Sequence, residues 1–213
     1  MKNKELIMRA FPAEVRAAGE GESIIEGRPI VFGSQTDIGG WFGEVIEPGA
    51  LDEADLSDVR FCKNHDTSNV FARFKRGREK NTMDLNPNKD GLDIKAVLDT
   101  EGNPNAAALY SEVSRGDITG MSFMFSIDAE EWKNIETDYP IRHITKIGSV
   151  IEVSAVTFPA YEATSISARD KEAVETAKLA VETARAAEVE TEEKKAALEL
   201  EKLKADSLYG GIM

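Results

Sequence analysis

Cysteine is almost missing from this chain: Cys62 is the single one in 213 residues. That excludes an intrachain disulfide and any thiolate cluster around a metal, and it fits a reducing compartment. Histidine is nearly as scarce, with only His65 and His143, so a nucleophilic side chain has few bases to draw on. No apolar run approaches the ~18 residues of a membrane span. The opening Met1-Lys2-Asn3-Lys4-Glu5 leads into a short apolar patch and not into a signal-peptide core, so a soluble, cytoplasmic chain is expected. Positive charge is in deficit, 26 Lys and Arg against 39 Asp and Glu, for a formal net charge of -13. Such a balance argues against general attraction to DNA, RNA or anionic lipid and leaves proteins as the expected partners, with no specific nucleic acid and no membrane. Arg73-Phe74-Lys75-Arg76-Gly77-Arg78 is a local exception. It reads as a solvated loop edge, with a phosphate contact as the alternative.

From Lys171 to Leu208 glycine, proline and aromatic residues are all absent, and alanine, glutamate and lysine dominate. That composition predicts one long helix. Within it Ala173 to Leu179 and Ala180 to Ala186 are near copies seven residues apart, with Val174, Ala177, Val181 and Ala184 on one seam. The register slips near Val189, and a seam built mostly of alanine pairs weakly. The chain therefore divides into residues 1–169, of domain size, and a charged helical tail, residues 170–213, suited to docking on a partner or scaffold.

The first part reads as β-rich. Short apolar runs at Leu6 to Met8, Ser23 to Ile25 and Pro29 to Phe32, with a turn at Gly19-Glu20-Gly21, predict an opening pair of strands. Gly33 to Gly40 reads as a loop, Trp41 to Ile46 as a strand, and Leu51 to Leu56 as a short helix capped by Asp52. Val59 to Lys63 is extended again and delivers Asn64-His65-Asp66. Residues 81–85 and 91–98 form an expected antiparallel hairpin, and Pro104 opens a helix over Asn105 to Arg115 whose buried side includes Ala108, Leu109 and Val113. Two further strands are expected at Pro140 to Ile147 and Val150 to Pro159.

Three residues in this β-rich part carry possible chemistry. Ser122 follows a glycine inside the apolar run Gly120-Met121-Ser122-Phe123-Met124-Phe125-Ser126. In a strand, Ser122, Met124 and Ser126 face one way and Met121, Phe123 and Phe125 the other. His65 lies at a strand end, where functional groups often sit. Glu152 is the only ionisable residue of the most β-prone run, and a buried carboxylate needs a partner that is positive or donates hydrogen bonds. Each piece alone also fits a plain structural role: a serine facing water, an exposed histidine, a glutamate on an edge strand. Cys62 is set aside as nucleophile because, in a strand, positions 62 and 65 face opposite ways.

Four stretches in order look like the prohead (capsid maturation) protease family of tailed bacteriophages: Gly43-Glu44-Val45-Ile46-Glu47-Pro48-Gly49-Ala50, Asn64-His65-Asp66, Arg115 to Phe123, and Glu152 to Tyr161. The resemblance covers nearly all of the chain up to Arg169, and it departs at Phe71-Ala72, where Leu-Gly is typical. It implies an α+β, mainly β fold, an antiparallel assemblin-like β-barrel similar to the herpesvirus maturation protease with a few helices, followed here by the long C-terminal helix. It also implies a serine endopeptidase with Ser122 as nucleophile, His65 as base and Glu152 as third member, His143 being the rival for the third place. No metal or cofactor is needed. The substrates implied are scaffold, major capsid protein and the protease itself, cleaved inside the assembling prohead in the cytoplasm of the host bacterium, with a homo-oligomer left open. A catalytically silent assembly protein working through its tail helix is the alternative.

Overall fold

The computed structural model describes residues 6–11, 15–18, 22–157 and 170–209, with the side chains of its last helix from 178 to 204. Two sheets share one core. The larger is built from β1 (Leu6–Phe11), β4 (Gln35–Ile38), β5 (Phe42–Ile46), β6 (Asp58–Lys63), β7 (Ala72–Lys75), β10 (Gly120–Lys133) and β11 (Ile141–Val156), in the order β1-β10-β11-β5-β4, with β6 joining β11 and β7 joining β6. The smaller holds β2 (Val15–Ala18), β3 (Ile24–Val31), β8 (Met83–Asn88) and β9 (Gly91–Val97), in the order β2-β3-β9-β8. Ile25, Ile30, Leu92 and Ile94 of the smaller sheet and Phe61, Met121, Phe123, Phe125 and Val153 of the larger are buried together. Burying each such side chain is worth roughly 1.5–3 kcal/mol.

The mainly β fold with one long C-terminal helix agrees with the sequence. Neither sheet closes on itself among the described residues, so the barrel is not confirmed. Nor is the large sheet purely antiparallel: β11 pairs in parallel with β5 at its start (Ile144 opposite Ile46) and with β6 at its end (Ser154 opposite Cys62). Parallel neighbours need long crossovers, and the stretch from β6 to β11, with α1 (Pro104–Ser114) inside it, supplies one. Local pattern cannot reveal a pairing made over such a separation.

Several local readings change. The two expected strands at 140–147 and 150–159 are one continuous strand through Gly148, whose absent side chain leaves room for the Asp128 carboxylate where a Cβ would otherwise sit. Residues 33–40 are not all loop, because β4 pairs with β5 (Thr36 opposite Glu44) and buries Thr36. Leu51 to Leu56 forms turns and no helix: Asp52 N–H bonds Gly49 O and Ala54 N–H bonds Leu51 O, both at three-residue spacing, after which Asp55 bonds Gly148 O. β1 pairs with β10, and the opening hairpin is β2 with β3. The expected turn at 19–21 lies outside the described residues. The β8–β9 hairpin and α1 agree with expectation, with Asn103 Oδ1 capping the helix by accepting from the N–H groups of Asn105 and Ala106. α1 buries Ala106, Leu109 and Val113, while Ala108 faces solvent.

α2 (Asp170–Tyr209) is a single helix of 40 residues. Lys178, Val181 and Arg185 lie on one face of it and meet the body. Val181 is buried against Phe42, with Ile38 and Trp132 alongside; the Lys178 ammonium sits 4.7 Å from the Trp41 ring centre; and Arg185 donates to the carbonyls of Ile135 and Thr137. Beyond that point Val189, Leu198, Leu200 and Leu203 are exposed. Among the described residues no helix is long and apolar enough to cross a membrane.

Candidate active site

Strand register assembles the site. Ser122 of β10 stands opposite Ser154 of β11, and Met124 opposite Glu152. The two-residue period of β11 puts Glu152 and Ser154 on one face, and cross-strand pairing puts Ser122 there with them. β6 ends at Lys63, beside Ala155, and the chain then turns sharply. Both Asn64 (φ 49°) and His65 (φ 60°) adopt the left-handed conformation, which costs an L-residue roughly 1–2 kcal/mol and suits asparagine better than most. Hydrogen bonds hold the turn in place. Asn64 N–H donates to Ala155 O, Asn64 Oδ1 accepts from Thr157 N–H at 3.0 Å, and His65 N–H donates to Ser154 Oγ at 3.0 Å.

The turn swings the imidazole between the other two side chains. His65 Nε2 lies 2.6 Å from Ser122 Oγ, and its Nδ1 lies 2.7 Å from Glu152 Oε2. The second oxygen of Glu152 accepts from Ser154 Oγ. Glu152 is 1% exposed, and the histidine and serine contacts supply the partners that a buried carboxylate requires. Hydroxyl, imidazole and carboxylate thus form one continuous hydrogen-bonded chain. Such a chain can pass a proton from Oγ to Nε2 while the carboxylate fixes the ring and balances its charge.

The three residues singled out from the sequence therefore meet, although 57 residues separate His65 from Ser122 and 87 separate it from Glu152. His143 does not join them: its Nδ1 is 2.5 Å from Glu47 Oε1, on the opposite half of β11. Cys62 is fully buried and its thiol is pushed up to about 12, first by desolvation and then by the charge of Glu152. That is a sounder reason to dismiss it than strand parity, because β6 ends before His65 and the parity argument does not extend to the turn. Sequence reasoning missed Ser154 and Asn64. Ser154 could have been suspected, being a hydroxyl two residues from the glutamate in a strand otherwise apolar at that end. Phe71-Ala72 does not disturb the turn: Phe71 N–H bonds Phe61 O, and Ala72 opens β7 with its side chain in the core.

Comparison with known proteins bears on what this chain of groups is for. The profile of the caudovirus prohead serine protease family matches residues 11–179. The chain belongs to that family. A curated member of this kind, the prohead protease of Enterobacteria phage HK97, is 31% identical over 159 residues, which is 73% of this chain and 64% of the relative. The chain therefore spans less than two thirds of the length of the prohead protease it matches. No solved structure matches.

Proposed function

We propose that the chain is a serine endopeptidase of phage head maturation, with Ser122 as nucleophile, His65 as general base and acid, and Glu152 as the group that orients and balances the imidazole. The observation that carries this reading is the unbroken contact from Ser122 Oγ to His65 to Glu152 at 2.6 and 2.7 Å in a chain of the prohead serine protease family. Ser122 Oγ attacks the scissile carbonyl carbon as its proton passes to His65 Nε2. The tetrahedral intermediate collapses, the same proton goes to the leaving amine, and the acyl-enzyme remains. Water then repeats the sequence, giving its proton to Nε2, and the acid product leaves as Oγ regains it. Substrates in this reading are scaffold, major capsid protein and the protease itself, inside the assembling prohead of the host cell. The fold that accompanies it is an assemblin-like barrel, for which two sheets around a common core are suitable walls.

The same reading assigns residues 170–213 to recruitment. The side chains of α2 from Ala186 to Lys204 are exposed, and Val189, Leu198 and Leu203 among them offer apolar contacts to a scaffold or capsid helix. Self-cleavage to release this tail would fall in Tyr161 to Arg169, which lies outside the described residues. A fluorophosphonate probe tests the central claim. It should label the wild-type serine and leave Ser122→Ala unlabelled; labelling of Ser122→Ala at the wild-type rate would turn the reading towards a silent assembly protein.

A further inference from the structure

β1 is the outermost strand of the large sheet and lies antiparallel to the strand that carries Ser122, with Ala10 opposite it. Its Arg9 carbonyl oxygen is 2.8 Å from Ser122 Oγ. The hydroxyl has one proton and faces two acceptors, this carbonyl and His65 Nε2. With β1 in place Ser122 is 1% exposed, which leaves a macromolecular substrate no approach along that edge. Extended peptides commonly reach proteins by adding a strand to an open sheet edge, and β10 has such an edge only when β1 is away.

The side chain of Arg9 adds a second, independent observation. Its guanidinium grips Glu44 with two contacts, Nε to Oε1 at 2.5 Å and Nη2 to Oε2 at 3.0 Å. The Glu44 side chain is 1% exposed. Its other cation, Arg142, stands 3.5 Å away and is shared with Glu130. Without Arg9, two carboxylates would share one guanidinium, and a buried carboxylate left short of positive charge is costly. The place Arg9 fills is thus a ready receptor for a basic side chain with planar, forked donors. Leu6 and Met8 are half exposed, so beyond the ladder with β10 the described side chains that hold the strand are Arg9, through its grip, and Ile7, half-buried against the core.

We propose that β1 is an internal occupant of the substrate-binding edge of β10, and that Glu44 recognises a basic substrate residue in the position Arg9 holds. This rests on the protease reading of Ser122 and extends it. A peptide laid along β10 as β1 is would present to Ser122 the carbonyl of its own basic residue, so cleavage follows arginine or lysine. Displacing β1 both opens the edge and returns the serine proton to His65.

The test uses the full chain and its Arg9→Ala variant. It measures the rate of fluorophosphonate labelling and the hydrolysis of unstructured peptide pairs that differ only in arginine or glutamine at one position. Loosening β1 raises the open fraction, so Arg9→Ala should label and hydrolyse about tenfold faster, and both chains should favour the arginine peptide. Glu44→Gln should lose that preference; where that variant fails to fold, the peptide pair alone decides the point. A folded Arg9→Ala chain that labels no faster, or indifference to arginine against glutamine, overturns the proposal while leaving Ser122 a nucleophile. Absence of labelling in both chains removes the protease reading and this one with it.

Discussion

At the scale of single residues, the imidazole is steered by groups that contribute no proton of their own. Glu152→Gln keeps the shape of the carboxylate but lets the ring adopt the wrong tautomer, so kcat should fall by about 10⁴-fold while circular dichroism stays unchanged. Ser154 acts one step further out, through its contacts with the Glu152 carboxylate and the His65 N–H. Ser154→Ala should lower kcat by about 10²-fold with little change in KM, as small displacements of catalytic groups do. Ser154→Thr, which keeps the hydroxyl, should recover part of the loss; a fall in KM and kcat together, without rescue, would mark a purely structural role. Cys62 has the opposite character. Buried and with its thiol held far above the physiological range, it should resist a thiol-reactive dye in the native protein and react once, fully, in denaturant.

At the scale of elements, the turn after β6 decides whether the site exists. Asn64→Ala removes the contacts to Thr157 and places alanine in the left-handed region. It should destabilise the fold by about 1–3 kcal/mol and depress activity further than stability alone accounts for, whereas Asn64→Gly should keep the backbone and lose less. Chemical denaturation of the two variants beside their rates checks this. The same turn shows where sequence reading succeeds and stops. Strands with clean alternation, such as β9, and the helix behind Pro104 announce themselves through period and punctuation. Ser122, His65 and Glu152 could be singled out because each sits in a motif that resembles one family, and their side chains do meet in the structure. The edge strand β4 was missed because its sequence is polar, although its partner β5 follows directly. What could not be read was any feature set by distant pairing: the parallel ladders of β11 and the attachment of β1 to β10. In both of these the deciding partner lies far along the chain, and local pattern carries no trace of it.

At the scale of the whole molecule, the acidic chain is a β body with a long helix fastened at one end. Among the described side chains the fastening includes one buried valine, one ammonium over an indole and one arginine on two carbonyls. A chain ending at Arg169 should therefore fold, with stability lowered by about 1–3 kcal/mol for the lost apolar contact and hydrogen bonds, and should still hydrolyse an unstructured peptide while failing to enter proheads. Unfolding of the shortened chain, or its incorporation at the level of the full one, would refute the division into body and recruiting tail. The position of this fastening has a spectroscopic consequence. The protein has two tryptophans, and both stand at the fastening, Trp41 under Lys178 and Trp132 beside Phe42 and Val181. Its intrinsic fluorescence thus originates where the helix meets the body. Release of the helix should wet both indoles and shift their emission to the red, so the departure of the tail can be followed in real time, without a label, as it happens.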